Sequence, residues 1–155
     1  MILMFKYCMI GARSGSETIK NKNIQKVNGR ALLSISIQKA LKCNVYDKIY
    51  VSSDCAAYKD FLPHNSIVEF VLRPTEISQN TSTEIEYLSH IIKTRNLKKN
   101  SLISRMQCTS PFQSVASMKL SVEKLEAHLT KFDSVQLVSP SSPSIHKAML
   151  KCEKS

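Results

Sequence analysis

Short apolar runs typical of buried strands alternate with helix-like segments along almost the whole chain. Five runs have the length and composition of strands: residues 4–10, 48–53, 67–72, 102–107 and 134–139. Segments with helical spacing or turn-forming residues separate them. Strands that alternate with helices predict an α/β fold, with a mostly parallel sheet that is covered on both faces.

Three of the intervening segments have apolar residues at the spacing of a helix. In residues 31–42 the residues on one side are Leu33, Ile37, Ala40 and Leu41. A helix that follows a cap at Thr81 or Ser82 would have Ile85, Leu88 and Ile92 on one face. The longest stripe is Val115, Met118, Val122, Leu125, Leu129 and Phe132. Residues 55–62 are expected to form a short helix.

Four loops follow predicted strands and hold the most distinctive polar residues of the chain. They are residues 11–23, 52–54, 73–82 and 107–111. In an open parallel sheet, ligands bind outside the carboxyl ends of the strands. We therefore expect these loops to carry the chemistry of the protein.

The first of these loops, GARSGSETIKNKN, combines small, hydroxyl-bearing and cationic residues. Small side chains let a ligand approach the backbone N–H groups, which can hold phosphate oxygens, and Arg13 and the lysines supply positive charge. The residue order matches neither a Walker P-loop nor the GxGxxG turn of a dinucleotide site. From these residues alone, a phosphate site and a plain basic loop both remain open.

Positive charge is concentrated near the N-terminus. Of the formal net charge of +10, residues 1–48 contribute +7, from nine basic and two acidic side chains. This imbalance favours an anionic partner, although a basic solvated surface would have the same composition. A nucleic-acid partner is not expected, because no such binding motif is present and no aromatic residues interleave with the cations.

The cysteines and the apolar start are typical of a cytoplasmic protein. The five cysteines are widely spaced and form no CxxC pair, so neither a zinc site nor a disulfide framework is indicated. The opening MILMFKYCMI is interrupted by Lys6 and is too short to span a bilayer. A buried strand explains it better than a signal peptide, and no membrane partner is expected.

Several short motifs occur in a fixed order over about residues 5–139. They are ARSGSE at 12–17 with Lys22 and Asn23, VSSD at 51–54, LRP at 72–74, NTSTE at 80–84, QCTSP at 107–111 and DSV at 133–135. In this order they resemble the signature of the acylneuraminate cytidylyltransferases, also called CMP-sialic acid synthetases. Any one of the motifs alone would be weak.

The resemblance implies a three-layer α/β/α, nucleotide-diphospho-sugar-transferase-like (Rossmann-like) fold with a mostly parallel sheet that is incomplete at its C-terminal side. Residues 1–139 would form the nucleotide-binding domain, and residues 140–155 would begin the dimerisation arm of a family of homodimers. In the implied reaction, the anomeric hydroxyl of a nonulosonic acid attacks the α-phosphate of CTP, which gives a CMP-sugar and pyrophosphate. N-acetylneuraminate, legionaminate and pseudaminate all remain possible as the sugar acid.

The resemblance also assigns site residues. Those that would bind the nucleotide are Ala12, Arg13, Ser16, Lys22, Asn23, Asp54, Arg73 and Ser82. Arg13 and Lys22 would be catalytic, since the transfer depends on charge neutralisation. Gln107 and Thr109 would face the sugar acid.

Most of these residues have a structural alternative. Asp54 and Ser82 could each cap a helix, and Arg73 could be a solvated loop residue. Gln107 could satisfy backbone groups at the end of a strand, and Thr109 could belong to the start of a helix.

The chain departs from the family pattern in two ways. Glu17 stands where the family has a lysine, and Gly11 replaces a common proline. The family's Mg²⁺ ligands are aspartates from a later part with no counterpart here, so Mg²⁺ is the expected cofactor but no metal ligand is assigned. The alternative function is therefore a catalytically inactive nucleotide-binding remnant, or one part of a split enzyme.

Overall fold

The computed structural model describes residues 4–16 and 18–138. The strands are β1 (Phe5–Gly11), β2 (Lys26–Val27), β3 (Arg30–Ala31), β4 (Lys48–Ser53), β5 (Val68–Leu72) and β6 (Ser101–Gln107). The α-helices are α1 (Leu32–Cys43), α2 (Glu84–Thr94) and α3 (Val115–Ala127), and short 3₁₀ turns span Lys22–Ile24, Ala56–Phe61 and Thr75–Ile77. Four of the five predicted strands and the three predicted helices with apolar stripes are present, and the short helix predicted at residues 55–62 forms as the 3₁₀ turn Ala56–Phe61.

The main sheet has four parallel strands in the order β5-β4-β1-β6. Strand β1 is central, and Ile10 lies opposite both Val51 of β4 and Met106 of β6. The small antiparallel pair β2–β3 stands apart from this sheet. Since β4 and β5 lie on one side of β1 and β6 on the other, the strand order reverses at β1.

Both faces of the sheet are buried, because alternate residues of β1 point to opposite faces. Cys8 and Ile10 are fully buried in a cluster with residues of α1 and α3. Tyr7 and Met9 pack on the other face in a cluster that contains Tyr87 of α2. This arrangement confirms the predicted α/β fold with a parallel sheet between layers of helices.

Helix α1 follows its prediction, and Leu33, Ile37 and Ala40 are buried. Leu41, the fourth residue of the predicted apolar side, is only partly buried.

Helix α2 forms where it was predicted, but it buries a different face. Tyr87 and Ile91 are in the core, whereas Ile85 is 72% exposed and Ile92 36% exposed. Apolar residues lie on both sides of this helix, and the large ring of Tyr87 fits against the bare backbone of Gly11. The cap was also wrong, because Thr83 precedes the helix and forms a capping box with Glu86.

Two predictions fail near the end of the described chain. Helix α3 ends at Ala127, so Leu129 and Phe132 lie beyond it and are exposed. Residues 134–138 do not form the predicted strand, because they make no ladder with β6 or any other described strand. The last residue of that predicted strand and the predicted dimerisation arm, 140–155, lie outside the described residues. None of the described helices is long and apolar enough to cross a membrane.

Candidate functional site

A cavity of about 210 Å³ opens at the carboxyl ends of β1 and β6. This is the point at which the strand order reverses, where open α/β sheets bind their ligands. Seven of the predicted site residues line it: Arg13, Lys22, Asn23, Arg73, Ser82, Gln107 and Thr109. Residues from loops far apart in the sequence therefore come together at one place, while Ala12, Ser16 and Asp54 do not line the cavity.

A larger cavity, of about 360 Å³, lies between the side of β6 away from β1 and helix α3. Of the predicted site residues only Gln107 reaches it, and its walls include Leu102, Met118 and Val122. Its size does not make it the better candidate, because the cationic loop after β1 contributes nothing to it. The smaller cavity is therefore the candidate site.

Asp54 holds the loop after β1 in place. Its two carboxylate oxygens accept hydrogen bonds from the Ser14 backbone N–H at 2.7 Å and the Ser14 hydroxyl at 2.8 Å. The 3₁₀ turn after Asp54 has no side-chain cap, so the helix-cap alternative for this residue is wrong. Asp54 thus acts on the shape of the loop and does not line the cavity itself.

Two further contacts fix the same loop. Asn23, which is 8% exposed, donates from its side-chain amide to the Arg13 carbonyl at 2.9 Å. Ala12 is fully buried, and its N–H donates to the Ser52 carbonyl at 2.9 Å. Ser16 is half-buried and lies outside the cavity wall. The loop is therefore held by the Asp54 carboxylate, by the side chain of Asn23 at its own end and by the backbone of β4.

Asp54→Ala should loosen this loop without disrupting the sheet. Losing two hydrogen bonds to a partly buried carboxylate should lower the free energy of unfolding by about 1–2 kcal/mol. It should also speed hydrogen exchange at the Ser14 amide, which NMR measures directly. Asp60→Ala, at an exposed aspartate in the following turn, is the matched control. Unchanged exchange at Ser14 would show that Asp54 does not hold the loop.

Arg73 is a buried cation, only 7% exposed, and not the solvated loop residue of the alternative interpretation. Its Nε donates to the Ser52 hydroxyl and its Nη2 to the Ser52 carbonyl, each at 3.1 Å. Its guanidinium lies 4.6 Å from the centre of the Tyr87 ring. Burial lowers the pKa of Arg73 below its ordinary value. The ion pairs of the described residues do not include this side chain.

Tyr87 completes this part of the wall and was not among the predicted site residues. A side chain at Gly11 would meet the Tyr87 ring, because a Cβ there would lie 3.0 Å from Cζ. Burial, with a smaller contribution from Glu84, raises the pKa of Tyr87 to about 12, so the phenol is neutral at physiological pH. The sequence analysis missed it because it assigned the buried face of α2 to Ile85, Leu88 and Ile92.

Arg13 reaches the third loop. Its Nη1 donates to the Asn80 side-chain carbonyl at 2.5 Å. This hydrogen bond to a residue 67 positions later in the chain fixes the orientation of the guanidinium. Lys22 lies at the start of a 3₁₀ turn, half-buried at the cavity wall. With Arg73, these residues place three cations around one cavity.

Gln107 and Thr109, the candidates for the sugar acid, and the nucleotide-side candidate Ser82 have distinct surroundings. Gln107 ends β6, and its Nε2 donates to Glu84 at 3.3 Å, so it does not bond the backbone as the alternative proposed. Thr109 precedes α3 by several residues, and Ser114 caps that helix instead. The Ser82 hydroxyl accepts a hydrogen bond from the Gln79 N–H at 3.0 Å, within a turn that precedes the true helix cap.

One carboxylate, Glu84, lines the cavity beside its cations. It forms an ion pair with Arg105 of β6, a residue for which the sequence offered no role. Within residues 4–16 and 18–138, no three histidine, cysteine, aspartate or glutamate side chains gather into a possible metal site. Glu17 lies outside the described residues. A cavity with three cations and one paired carboxylate suits an anionic ligand.

Comparison with known proteins gives a consistent set of relatives. A family model described as "Cytidylyltransferase" matches residues 7–150. The N-acylneuraminate cytidylyltransferase of Escherichia coli is 28% identical over 134 residues, which are 86% of this chain and 31% of that protein. The pseudaminic acid cytidylyltransferase of Campylobacter jejuni is 28% identical over 133 residues, which are 83% of this chain and 56% of that protein.

Solved structures show the same fold. A CMP:2-keto-3-deoxy-manno-octonic acid synthetase complexed with CTP has a TM-score of 0.64 and 11% identity, and covers 79% of this chain and 48% of its own. A cytidylyltransferase from Leptospira borgpetersenii also scores 0.64, at 16% identity over 81% of this chain and 50% of its own. The chain thus spans about half of each of these structures, and 31% of the Escherichia coli relative.

Proposed function

Because the chain belongs to the cytidylyltransferase family, we propose that it binds CTP in the cavity at the ends of β1 and β6 and transfers the cytidylyl group to a nonulosonic acid. The observation that carries this proposal is that Arg13 and Lys22 of the loop after β1 meet Arg73, from the loop after β5, at one cavity. Relatives named for N-acylneuraminate and for pseudaminic acid support the substrate class and leave the individual sugar open.

In the proposed reaction, the anomeric hydroxyl oxygen of the sugar acid forms a bond to the α-phosphorus of CTP. The bond from that phosphorus to the bridging oxygen breaks, pyrophosphate leaves, and the hydroxyl proton is released. Such a transfer depends on positioning and on neutralisation of phosphate charge. Arg13 and Lys22 would neutralise the phosphates, and the backbone of the loop fixed by Asp54 and Asn23 would shape their site.

The other nucleotide-side residues would act around this centre. Arg73 would bind an anionic or carbonyl group of CTP through those guanidinium N–H groups that do not donate to Ser52. Ala12, Ser16 and Ser82 would contribute through the backbone and hydroxyl groups of their loops. Gln107 and Thr109 would contact the sugar acid.

Mg²⁺ is expected as a cofactor only from the resemblance to the acylneuraminate cytidylyltransferases. When bound, Mg²⁺ would add charge neutralisation at the phosphates. The described residues do not fit such an ion, since they include no cluster of metal ligands and Glu84 is already paired with Arg105. No step of the proposed reaction is therefore assigned to a metal ligand of this chain. A homodimer in the cytoplasm is likewise proposed from the resemblance.

A thermal-shift titration with CTP and MgCl₂ tests nucleotide binding. Millimolar CTP should raise the melting temperature by several degrees, since a ligand that binds only the folded state stabilises it. Pyrophosphate release from CTP and N-acetylneuraminate or pseudaminate then tests the transfer. Stabilisation without release would favour the inactive nucleotide-binding remnant, and the absence of any response to CTP would overturn the proposed function.

A further inference from the structure

Glu84 is an unexpected residue in a cavity built for anions. It occupies the first turn of α2, and its side chain is 53% exposed. One carboxylate oxygen faces Arg105 and the other accepts from Gln107 Nε2 at 3.3 Å. The proposed transfer gives this carboxylate no role, although it touches the residue assigned to the sugar.

The contact with Glu84 decides which way the Gln107 amide points. An ionised carboxylate only accepts hydrogen bonds, so the amide must turn its NH₂ group, and not its oxygen, toward Glu84. The amide carbonyl oxygen, Oε1, is then the end of this cavity-lining side chain that Glu84 leaves available to a ligand. A glutamine without such a neighbour could present either end to a ligand.

Arg105 makes this arrangement compatible with an acidic substrate. Its guanidinium pairs with Glu84 on the sheet face that α2 covers, because Arg105 and Gln107 alternate along β6 with the core residue Met106. The pair cancels the negative charge that would otherwise repel a sugar acid. It also holds the Glu84 side chain beside Gln107.

We propose that Glu84 is a positioning residue that fixes the Gln107 amide, so that this end of the cavity accepts hydrogen bonds and selects a substrate group that donates one, a hydroxyl or an amide N–H. This inference rests on the proposed function, in which Gln107 contacts the sugar acid. The substrate's carboxylate, which only accepts hydrogen bonds, then belongs at the cationic end, near Arg13 and Lys22. If Glu84 and Arg105 formed only a surface ion pair, replacing Glu84 would change neither the orientation of the Gln107 amide nor the binding of the sugar acid.

The first arm of the test needs no ligand. In a ¹H–¹⁵N NMR spectrum, the Gln107 side-chain signal is assigned by its loss in Gln107→Met. A hydrogen bond to a carboxylate should shift the resonance of the bonded NH₂ proton downfield and widen its separation from that of the other NH₂ proton, and Glu84→Ala should narrow this separation. Glu84→Gln, which keeps the size of the side chain, should give an intermediate spectrum. Glu76→Gln, at an exposed glutamate of the third loop, is the control and should leave the signal unchanged. An identical Gln107 signal in Glu84→Ala and the unmodified chain would overturn the inference.

The second arm measures N-acetylneuraminate binding to the CTP-loaded chain by calorimetry. Glu84→Ala should weaken sugar binding by roughly three- to tenfold, the range for one hydrogen bond, with CTP affinity unchanged. Glu76→Gln should bind both ligands normally. If the unmodified chain binds the sugar and Glu84→Ala binds it equally well, the inference is wrong. If the unmodified chain ignores CTP, the proposed function fails, and the spectrum still decides whether Glu84 positions Gln107.

Discussion

Arg73→Met is expected to weaken CTP binding by at least about 100-fold while the chain stays folded. A loss of this size corresponds to about 2.7 kcal/mol, within reach of one or two charge-assisted hydrogen bonds in a desolvated site. The physical reason is that burial has stripped water from the Arg73 guanidinium and lowered its pKa, an effect that the charge of Asp54 offsets only in part, and the ion pairs of the described residues do not include Arg73. An anionic ligand would supply an ion-pair partner in direct contact with the guanidinium. Isothermal titration calorimetry with CTP measures the effect.

The stability of the same variant separates binding from structure. Methionine has a similar length and can keep the contact with the Tyr87 ring. The hydrogen bonds to Ser52 are lost, but a buried charge is removed as well, so the two effects should largely offset each other. We expect the melting temperature to change by only a few degrees. Arg95→Met, which removes an arginine outside the cavity, should leave CTP affinity unchanged. A large fall in melting temperature with normal CTP binding would show that Arg73 is a purely structural residue.

Gly11→Val is expected to destabilise the fold by about 1–3 kcal/mol, the range for overpacking a core. A Cβ at this position would lie 3.0 Å from Tyr87 Cζ and 3.2 Å from Cε1, and valine adds two more carbons. The Tyr87 ring cannot easily move away, because it is 5% exposed and packs with Met9, Tyr50 and Ile91. Displacing it would also shift the guanidinium of Arg73. Urea unfolding gives the free energy change, and calorimetry gives the accompanying loss of CTP affinity.

A double-mutant cycle tests the origin of this effect. Tyr87→Leu creates space opposite Gly11, so Gly11→Val should cost much less in that background. Gly15→Val is the matched control for stability, because a Cβ at Gly15 would have no atom within 4 Å apart from those of its chain neighbours. Additive free energies in the cycle would mean that Gly11 and Tyr87 do not interact.

The position of the site followed from the sequence because it depends on topology. Apolar runs at 48–53 and 102–107 identify parallel strands, and the ends of such strands meet at one edge whatever the details of packing. Arg13, Arg73 and Gln107 each follow or end a strand, which brings them together. Their roles toward a ligand stay predictions that the variants above can test.

The contacts within the site did not follow from the sequence, because they depend on which helix face is buried. Both the Ile85, Leu88, Ile92 set and the Tyr87, Ile91 pair have helical spacing, and periodicity cannot choose between them. The choice depends on Gly11, a residue 76 positions earlier whose missing side chain admits the ring. Likewise, residues 134–138 have a strand-like sequence, but a strand also needs a neighbouring ladder, which is a property of the assembled sheet.

The close approach of Gly11 to Tyr87 has an evolutionary consequence. A chain with a larger residue at the end of its first strand needs a smaller one at the position of Tyr87, so the two sites should covary among homologues. The family's common proline at position 11 should therefore accompany a small residue at position 87. Homologues that keep a glycine at position 11 can retain an aromatic ring at position 87, in contact with an arginine at position 73.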